Sequence, residues 1–547
     1  MAEDLKRQIK SGQGIRRQTR TTTSNGDKRF VITLQKDYEE PPGSTTLFHS
    51  YPGQTTANIG QSDGGYAENP PLRRQRGLRS GSVLDLAQDQ NVEEAGFMSP
   101  PSSNAWDLDF VILYLDYAFP FLFPFYHPPM IGTGRGWLLK FIRQSKSVFC
   151  SVLSLSSYFL TIGLKDAFPG KHDACKSTVW EQTLEQADQS FAMIEKELHE
   201  AKDQEGQQGL VKKACLMQSI IQLLIFESFL GKSNNWVLHL TPAVALFESI
   251  LHDHSSSSEP DLTKVLNEMA WPERATGLLD RPLWNPDQAA FRFFTAILIY
   301  VDIIASTSTG RAPALRKYHT HTVVSDRPQD VYVELDLSSF MGCQNWVLLA
   351  IGDIAELYAW KREMTNTTTL SVAELTERAR SIHQRLQDGV VSLSDTPITD
   401  KQNSLHRFSS CYCSPESSIS SSSFTITRIW AHAARIYLSA FTTELQTTDE
   451  NVHQHVSSVL ILLEDVMTGA QLRALAWPIC VASCLADVEQ RRGFRELFSK
   501  IGDDQSLNTL REAWEIIQAV WARLDTNCQN CDFVDHFQIL NRPVLLV

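Results

Sequence analysis

Cysteine is scarce in this sequence. Ten are spread over 547 residues with no framework spacing, which excludes a disulfide-stapled scaffold and makes a reducing compartment, cytosol or nucleus, the default. The opening MAEDLKRQIKSGQGIRR is polar and charged, without the apolar segment that a secretory signal requires. Long uninterrupted apolar runs are missing too. Asn285 to Ala305, NPDQAAFRFFTAILIYVDIIA, has about the length that spans a bilayer, but Arg292 and Asp302 cut its clean run to roughly half of what spanning needs. Contact with a membrane is therefore not expected. There is no Gly-x-Ser-x-Gly elbow, no dinucleotide fingerprint and no His-Glu-x-x-His, and these absences point away from an enzyme.

Fragments of chemical motifs do occur, and each is incomplete. Gly231-Lys-Ser233 ends like a phosphate loop, but Phe226 stands where the first glycine belongs and a helix rather than a strand precedes it. His252 with His254, His319 with His321, and His453 with His455 are His-x-His pairs without a third ligand nearby, and read as surface histidines. Cys528-Gln-Asn-Cys531 is half a zinc site with no second pair after it, and Cys411-Tyr-Cys413 sits in a serine-rich stretch. No catalytic residue, metal site or cofactor is expected.

Charge is unevenly placed. Residues 1–100 carry 13 Lys and Arg against 12 Asp and Glu, a net of +1, so a total of −13 leaves −14 on the remaining 447 residues. An acidic body repels phosphate and is a poor nucleic-acid surface. Any contact with DNA should come from the N-terminal arm or through a partner. Residues 1 to about 104 read as a disordered Ser/Arg-rich arm, with RFVITLQ (Arg29–Gln35) compatible with one short strand. Within the arm, LRRQRGLR gathers Arg73, Arg74, Arg76 and Arg79. Such a run serves nuclear import or backbone contact with DNA, or is simply a solvated tail.

From residue 105 onward the pattern is helical. Phe110–Pro129 is apolar but broken by Pro120, Pro124 and Pro128–Pro129, which predicts one short helix and then an extended aromatic crossing of the core. Trp137–Leu164 reads as one long helix. Thr178-Val-Trp-Glu181 is a capping box, followed by a stripe of Trp180, Leu184, Ala187, Phe191, Ile194 and Leu198 that suits packing on the same chain or a coiled-coil dimer seam. Val211–Leu230 and Trp236–Leu251 form a helical pair, with Pro242 inside the second.

Asn285, Pro286 and Gln288 start the most apolar helix of the chain with a capping box, and SerThrSerThrGlyArgAlaPro (306–313) ends it. Residues 314–340 read as irregular with one strand near Val331, Val333 and Leu335. Trp346–Lys361 is helical, Ser371-Val-Ala-Glu374 caps a helix striped by Leu375, Ala379, Ile382 and Leu386, and residues 391–423 read as a disordered Ser-rich insertion. Helices follow at Phe424–Thr443, Val452–Met467, Trp477–Arg491 and Leu507–Leu524. The expected fold is all-α: a large multi-helix domain over 105–547 behind an arm of 1–104.

These stretches together resemble the fungal-specific transcription factor domain, in the branch that usually follows a six-cysteine binuclear zinc cluster. The resemblance rests on LDYAFPFLFPFY (Leu115–Tyr126), RGWLL (Arg135–Leu139), the 211–251 helical pair and YVDIIASTSTGRAP (Tyr300–Pro313). It continues through GCQNWVLLAIGDIAELYAWK (Gly342–Lys361), RIWAHAARIYL (Arg428–Leu438), LAWPICVASCLADVEQRRGFRELF (Leu475–Phe498) and the Trp521 helix. It implies an all-α regulatory region that receives a signal, contacts protein partners and often dimerises, with no catalytic residues to transfer. Its relatives are frequently regulators of secondary-metabolite gene clusters. One feature departs from the pattern: the first cysteine is Cys150, so no six-cysteine cluster precedes the helices.

The expectation is a nuclear transcriptional regulator that works through dimerisation or a DNA-binding partner, touching DNA indirectly or weakly, with room for a small-molecule effector. The alternative is a cytosolic helical scaffold.

Overall fold

A helix as apolar as the one opening at Asn285 is stable in water only if other helices enclose it, and that enclosure is the plan of the fold. The computed structural model describes residues 105–128, 134–167, 207–229, 236–254, 262–270, 284–323, 335–395, 416–442, 449–466, 469–502 and 508–526, with parts of 189–196 and 537–547. Among them there is no strand, and the one β-pairing is an isolated parallel bridge between Val323 and Leu335. Of the predicted strand near 331–335, Leu335 carries that bridge, while Val331 and Val333 lie outside the described residues.

In chain order the helices are α1 (Ala105–Leu113), α2 (Phe119–Leu122), α3 (Gly136–Gln144), α4 (Lys146–Ala167), α5 (Gln207–Phe229), α6 (Trp236–His254), α7 (Leu262–Glu268) and α8 (Pro286–Thr309). After a 3-10 turn at Arg316–Tyr318 come the short α9 (His319–Thr322) and α10 (Ser338–Met341), then α11 (Asn345–Asn366), α12 (Val372–Asp395), α13 (Glu416–Thr442) and α14 (Asp449–Leu463). The last four are α15 (Gly469–Arg473), α16 (Ala476–Cys484), α17 (Gln490–Ile501) and α18 (Asn508–Asp525).

The predicted capping box forms at the start of α8. Gln288 N–H donates to Asn285 Oδ1 at 2.9 Å and Asn285 N–H donates to Gln288 Oε1 at 2.8 Å. Both amides reach further: Asn285 Nδ2 donates to the Met269 carbonyl and Gln288 Nε2 to the Leu266 carbonyl, tying α7 to the same corner. Helix α8 then packs against α3, α5, α6, α10 and α11, and its side chains from Phe293 through Ser308 are buried. Helices α5 and α8 are long and apolar enough to cross a membrane by length and composition, yet their windows are 78% and 89% buried inside the protein. Their apolar surface is therefore spent on the core.

Arg292, the one cation on α8, lies over the Trp284 ring at 4.5 Å, a stacked position that keeps a guanidinium at low desolvation cost. Against the opposite end of the core stand two tryptophans, Trp430 of α13 and Trp477 of α16, stacked at 5.3 Å. Trp477 Nε1–H donates to Thr307 Oγ1 of α8 at 2.9 Å, so its one polar atom is satisfied in the interior.

Several boundaries differ from the sequence reading. Helix continues beyond α1 through a π turn at Tyr114–Ala118 into α2, past the Pro120 that was expected to break it. Pro120 falls in the first turn after that bulge, where its missing N–H does no harm. Only then does the chain cross the core, and Phe123 and Tyr126 both pack on Phe293 of α8. The helix expected over 137–164 is two helices bent by 116°. Ser145 makes the corner: it is extended, its hydroxyl accepts from Val148 N–H, and it shares hydrogen bonds with Ser147 and Ser219.

The helix expected over 477–491 is likewise two. Asp487 and Gln490 form reciprocal side-chain to backbone hydrogen bonds that start α17 afresh. Helix α8 ends within the stretch expected to break it: the Ser306, Thr307 and Thr309 hydroxyls bond back to the carbonyls of Ile303, Ile304 and Ala305 before Gly310 closes it in the left-handed region.

Elsewhere the expected elements stand. Helices α5 and α6 pack on one another, and Leu375, Ala379, Ile382 and Leu386 are the buried stripe of α12. The supposed insertion is shorter than read: residues 391–395 complete α12 and 416–423 begin α13. Ser423 Oγ anchors that start by donating to the Gly342 carbonyl. Residues 1–104, 396–415 and the Thr178 capping box lie outside the described residues. Of the stripe that follows it, Ile194 is described and buried.

Two substitutions test this packing. Asn285→Ala removes the cap and the tie to Met269 and should cost about 1–2 kcal/mol, read from the denaturant midpoint. Gly342 sits at φ +71, and a β-carbon there would stand 2.5 Å from the Phe125 ring. Gly342→Ala therefore combines left-handed strain with overpacking and should cost roughly 2–4 kcal/mol. A loss below that of a surface Gly→Ala control would contradict it.

Candidate functional site

Burying a carboxylate in a core helix is costly unless hydrogen bonds replace its water. Asp302 of α8 is 5% exposed, and the chain solves this by folding the following loop back over it. Leu315 N–H donates to Asp302 Oδ2 at 2.8 Å and Ala314 N–H to Asp302 Oδ1 at 3.1 Å. The GlyArgAlaPro turn is thus fastened to the helix it terminates. Burial still dominates over these bonds and holds the Asp302 carboxyl up at about 6.

The same loop continues into charged and titratable groups. Arg316 pairs with Asp353 and Glu356 of α11, and Arg385 of α12 reaches the other oxygen of Asp353. His319 is buried against the Gly352 backbone of α11, with neither ring nitrogen hydrogen-bonded. Burial, with Arg316 adding to it, pushes its ring down to about 4 and leaves it neutral. His319 therefore is not the surface histidine that its spacing suggested.

Two further buried pairs sit at helix junctions. His239 Nε2 of α6 and Glu227 Oε2 of α5 lie 2.8 Å apart. Glu512 of α18 faces Arg542 at 2.8 Å, in ion-pair rather than hydrogen-bond geometry, and burial raises its carboxyl to about 7 against the pull of Arg542. Next to it Val544, Leu545 and Leu546 are buried, Trp236 Nε1–H donates to the Pro543 carbonyl, and Arg473 donates to backbone oxygens of Val547 and Leu122. The short run Arg-Pro-Val-Leu-Leu-Val is apolar, which was the one signal of this docking in the sequence.

The sequence-predicted positions are scattered. Arg73, Arg74, Arg76 and Arg79 lie outside the described residues, as do Gly231–Ser233, Cys411, Cys413, Cys528 and Cys531. His252 is exposed, and His453 pairs with Asp487 at 2.6 Å. His455 instead turns toward His432 of α13, the two Nδ1 atoms 3.1 Å apart. Among the described residues no group of three His, Cys, Asp or Glu side chains could hold a metal ion. The polar chemistry of the interior is that of helix junctions held by single charges.

The Asp302 knot has a signature in pH. A folded carboxyl near 6, against an ordinary 3.8, binds its proton more tightly than the unfolded chain does. Its contribution is fully present below about 4 and is lost as pH rises to about 6. Asp302→Asn keeps an acceptor and has no charge, so its stability relative to the parent should improve by up to about 3 kcal/mol across that interval and stay level above it. Melting curves of both proteins over pH 4–7 check this; a constant offset would contradict it.

Comparison with known proteins places this architecture. Residues 111–547 match the fungal specific transcription factor domain family. The chain is 33% identical to the transcription factor dibT of Pestalotiopsis microspora, over 100% of this chain and 91% of that protein. It is 25% identical to the pestheic acid cluster transcriptional regulator 3 of Pestalotiopsis fici, over 76% of this chain and 70% of that one. It is also 25% identical to the trichothecene biosynthesis transcription regulator TRI10 of Trichoderma arundinaceum, over 77% and 92%. No solved structure matches. With its helical body aligned almost from end to end, this chain belongs to the fungal-specific transcription factor domain family and is a transcriptional regulator of fungal type.

Proposed function

We propose that the protein is a nuclear regulator of one secondary-metabolite gene cluster, acting by dimerisation or on a DNA-binding partner. The observation that carries this reading is the alignment over the whole chain with a named transcription factor, beside relatives named for the pestheic acid cluster and for trichothecene biosynthesis. A regulatory rather than catalytic role accords with an interior whose charges serve to lock helix junctions. The first cysteine of the sequence is Cys150, so within these 547 residues no six-cysteine cluster is available to grip DNA. The acidic charge of residues 101–547 disfavours phosphate. Contact with the promoter then falls to Arg73, Arg74, Arg76 and Arg79, weakly, or to the partner, and the same arginines serve nuclear import.

The reading is tested in cells and on DNA. A strain lacking the protein should lose transcripts of a neighbouring biosynthetic cluster. A promoter fragment from that cluster should shift with the protein plus nuclear extract, and weakly or not at all with the protein alone. Replacing all four arginines by alanine should move a fluorescent fusion from nucleus to cytoplasm. Unchanged transcripts, no shift in either case and a cytoplasmic parent protein would leave a helical scaffold in its place.

A further inference from the structure

Charged side chains in a protein interior are held by opposite charges or hydrogen bonds, and nearly every buried cation described here follows that rule. Arg491 has Asp525, Arg542 has Glu512, and Arg473 has two backbone oxygens. Arg435 of α13 follows it only in part, with one hydrogen bond and no opposite charge. It is 9% exposed, its Nε is buried without a hydrogen-bond partner, and its one bonded atom, Nη2, donates to the neutral Gln387 of α12 at 2.6 Å. No carboxylate pairs with it among the described residues.

What surrounds Arg435 is more potential positive charge. His432 lies one turn earlier on the same helix and meets His455 of α14, while His383 stands one turn before Gln387 on α12. The charges acting on these three rings are Arg435, Arg428 and one another, and none is negative. Burial and these cations push all three rings down, His432 and His455 to about 4. Three helices thus converge on a guanidinium, whose planar fork suits carboxylate or phosphate, and on three imidazoles able to donate N–H and to accept a proton.

We propose that Arg435, with His383, His432 and His455, forms a binding site for a small anion bearing a carboxylate or phosphate group, at the junction of α12, α13 and α14. The anion supplies the missing counter-charge and bridges the three helices. Its arrival favours protonation of the His432–His455 pair, so binding takes up a proton and tightens as pH falls. The site would let an acidic metabolite stabilise this face of the regulator. It is independent of how the protein reaches DNA, since binding is read on the purified chain.

The test is a thermal-shift and calorimetric titration of the full chain with inorganic phosphate and, separately, with acetate, each against chloride at equal ionic strength. Saturable stabilisation by one or both is expected, and which of the two works distinguishes the group recognised. The apparent Kd should fall by up to about tenfold per pH unit between pH 7.5 and 6. Arg435→Gln should abolish the response, and Arg435→Lys should retain a weaker one because it keeps the charge without the fork. Should Arg435→Gln fail to fold, His455→Gln decides, keeping anion binding but flattening its pH dependence. Stabilisation no greater than with chloride overturns the proposal, and so does an unchanged response in Arg435→Gln or an unchanged pH profile in His455→Gln.

Discussion

The rest of the structure depends on the enclosure of one helix. From Phe293 to Ser308 every side chain of α8 is buried, so no face is left over for solvent. Five other helices must supply apolar surface at once, and the charges and most hydroxyls of α8 must find partners inside the protein, the buried Thr295 hydroxyl being an exception. The first demand fixes the position of α3, α5, α6, α10 and α11. The second explains details that otherwise look unrelated: the loop tied back to Asp302, the Thr307 hydroxyl beneath Trp477, and Arg292 laid on Trp284.

The interior charges share a pattern. Asp302, Asp353, Glu227 and Glu512 each tie one helix to another element, Asp353 through two arginines and the others through one or two bonds. Such junctions are geometrically demanding while contributing little net stability, because desolvation offsets much of the attraction. Their value to a regulatory domain is that they respond to charge. Carboxyls raised toward neutrality at Asp302 and Glu512 and rings kept neutral at His319, His432 and His455 pull stability in opposite directions as pH changes.

Much of the fold was legible because its signals are local. The Asn285–Gln288 cap, the stripe of α12 and the turn at Gly310 each depend on residues within a few positions of one another, and all three are where the pattern put them. The misread boundaries involve competition between local propensity and a distant partner. Ser145 breaks a helix that its neighbours would continue, because its hydroxyl bonds Ser219, which is 74 residues away. Pro120 looked like a stop, yet a π turn before it absorbs the defect. Asp487 and Gln490 carry a capping signature of their own that the apolar run around them concealed. His319 was read as exposed because a His-x-His spacing says nothing about what packs over it.

The sequence alone determined the class and the family: helical periodicity, caps, and an ordered set of short motifs survive in one dimension because each is set by bonding within a turn or two of helix. The arginines at 73–79 were likewise visible as a run. Only the tertiary structure decided which polar residues matter inside. Whether a buried charge has a counterpart depends on residues brought together from far along the chain. Arg435 is an ordinary helical arginine in the sequence, and becomes a cation without an anion only once α12, α13 and α14 close around it.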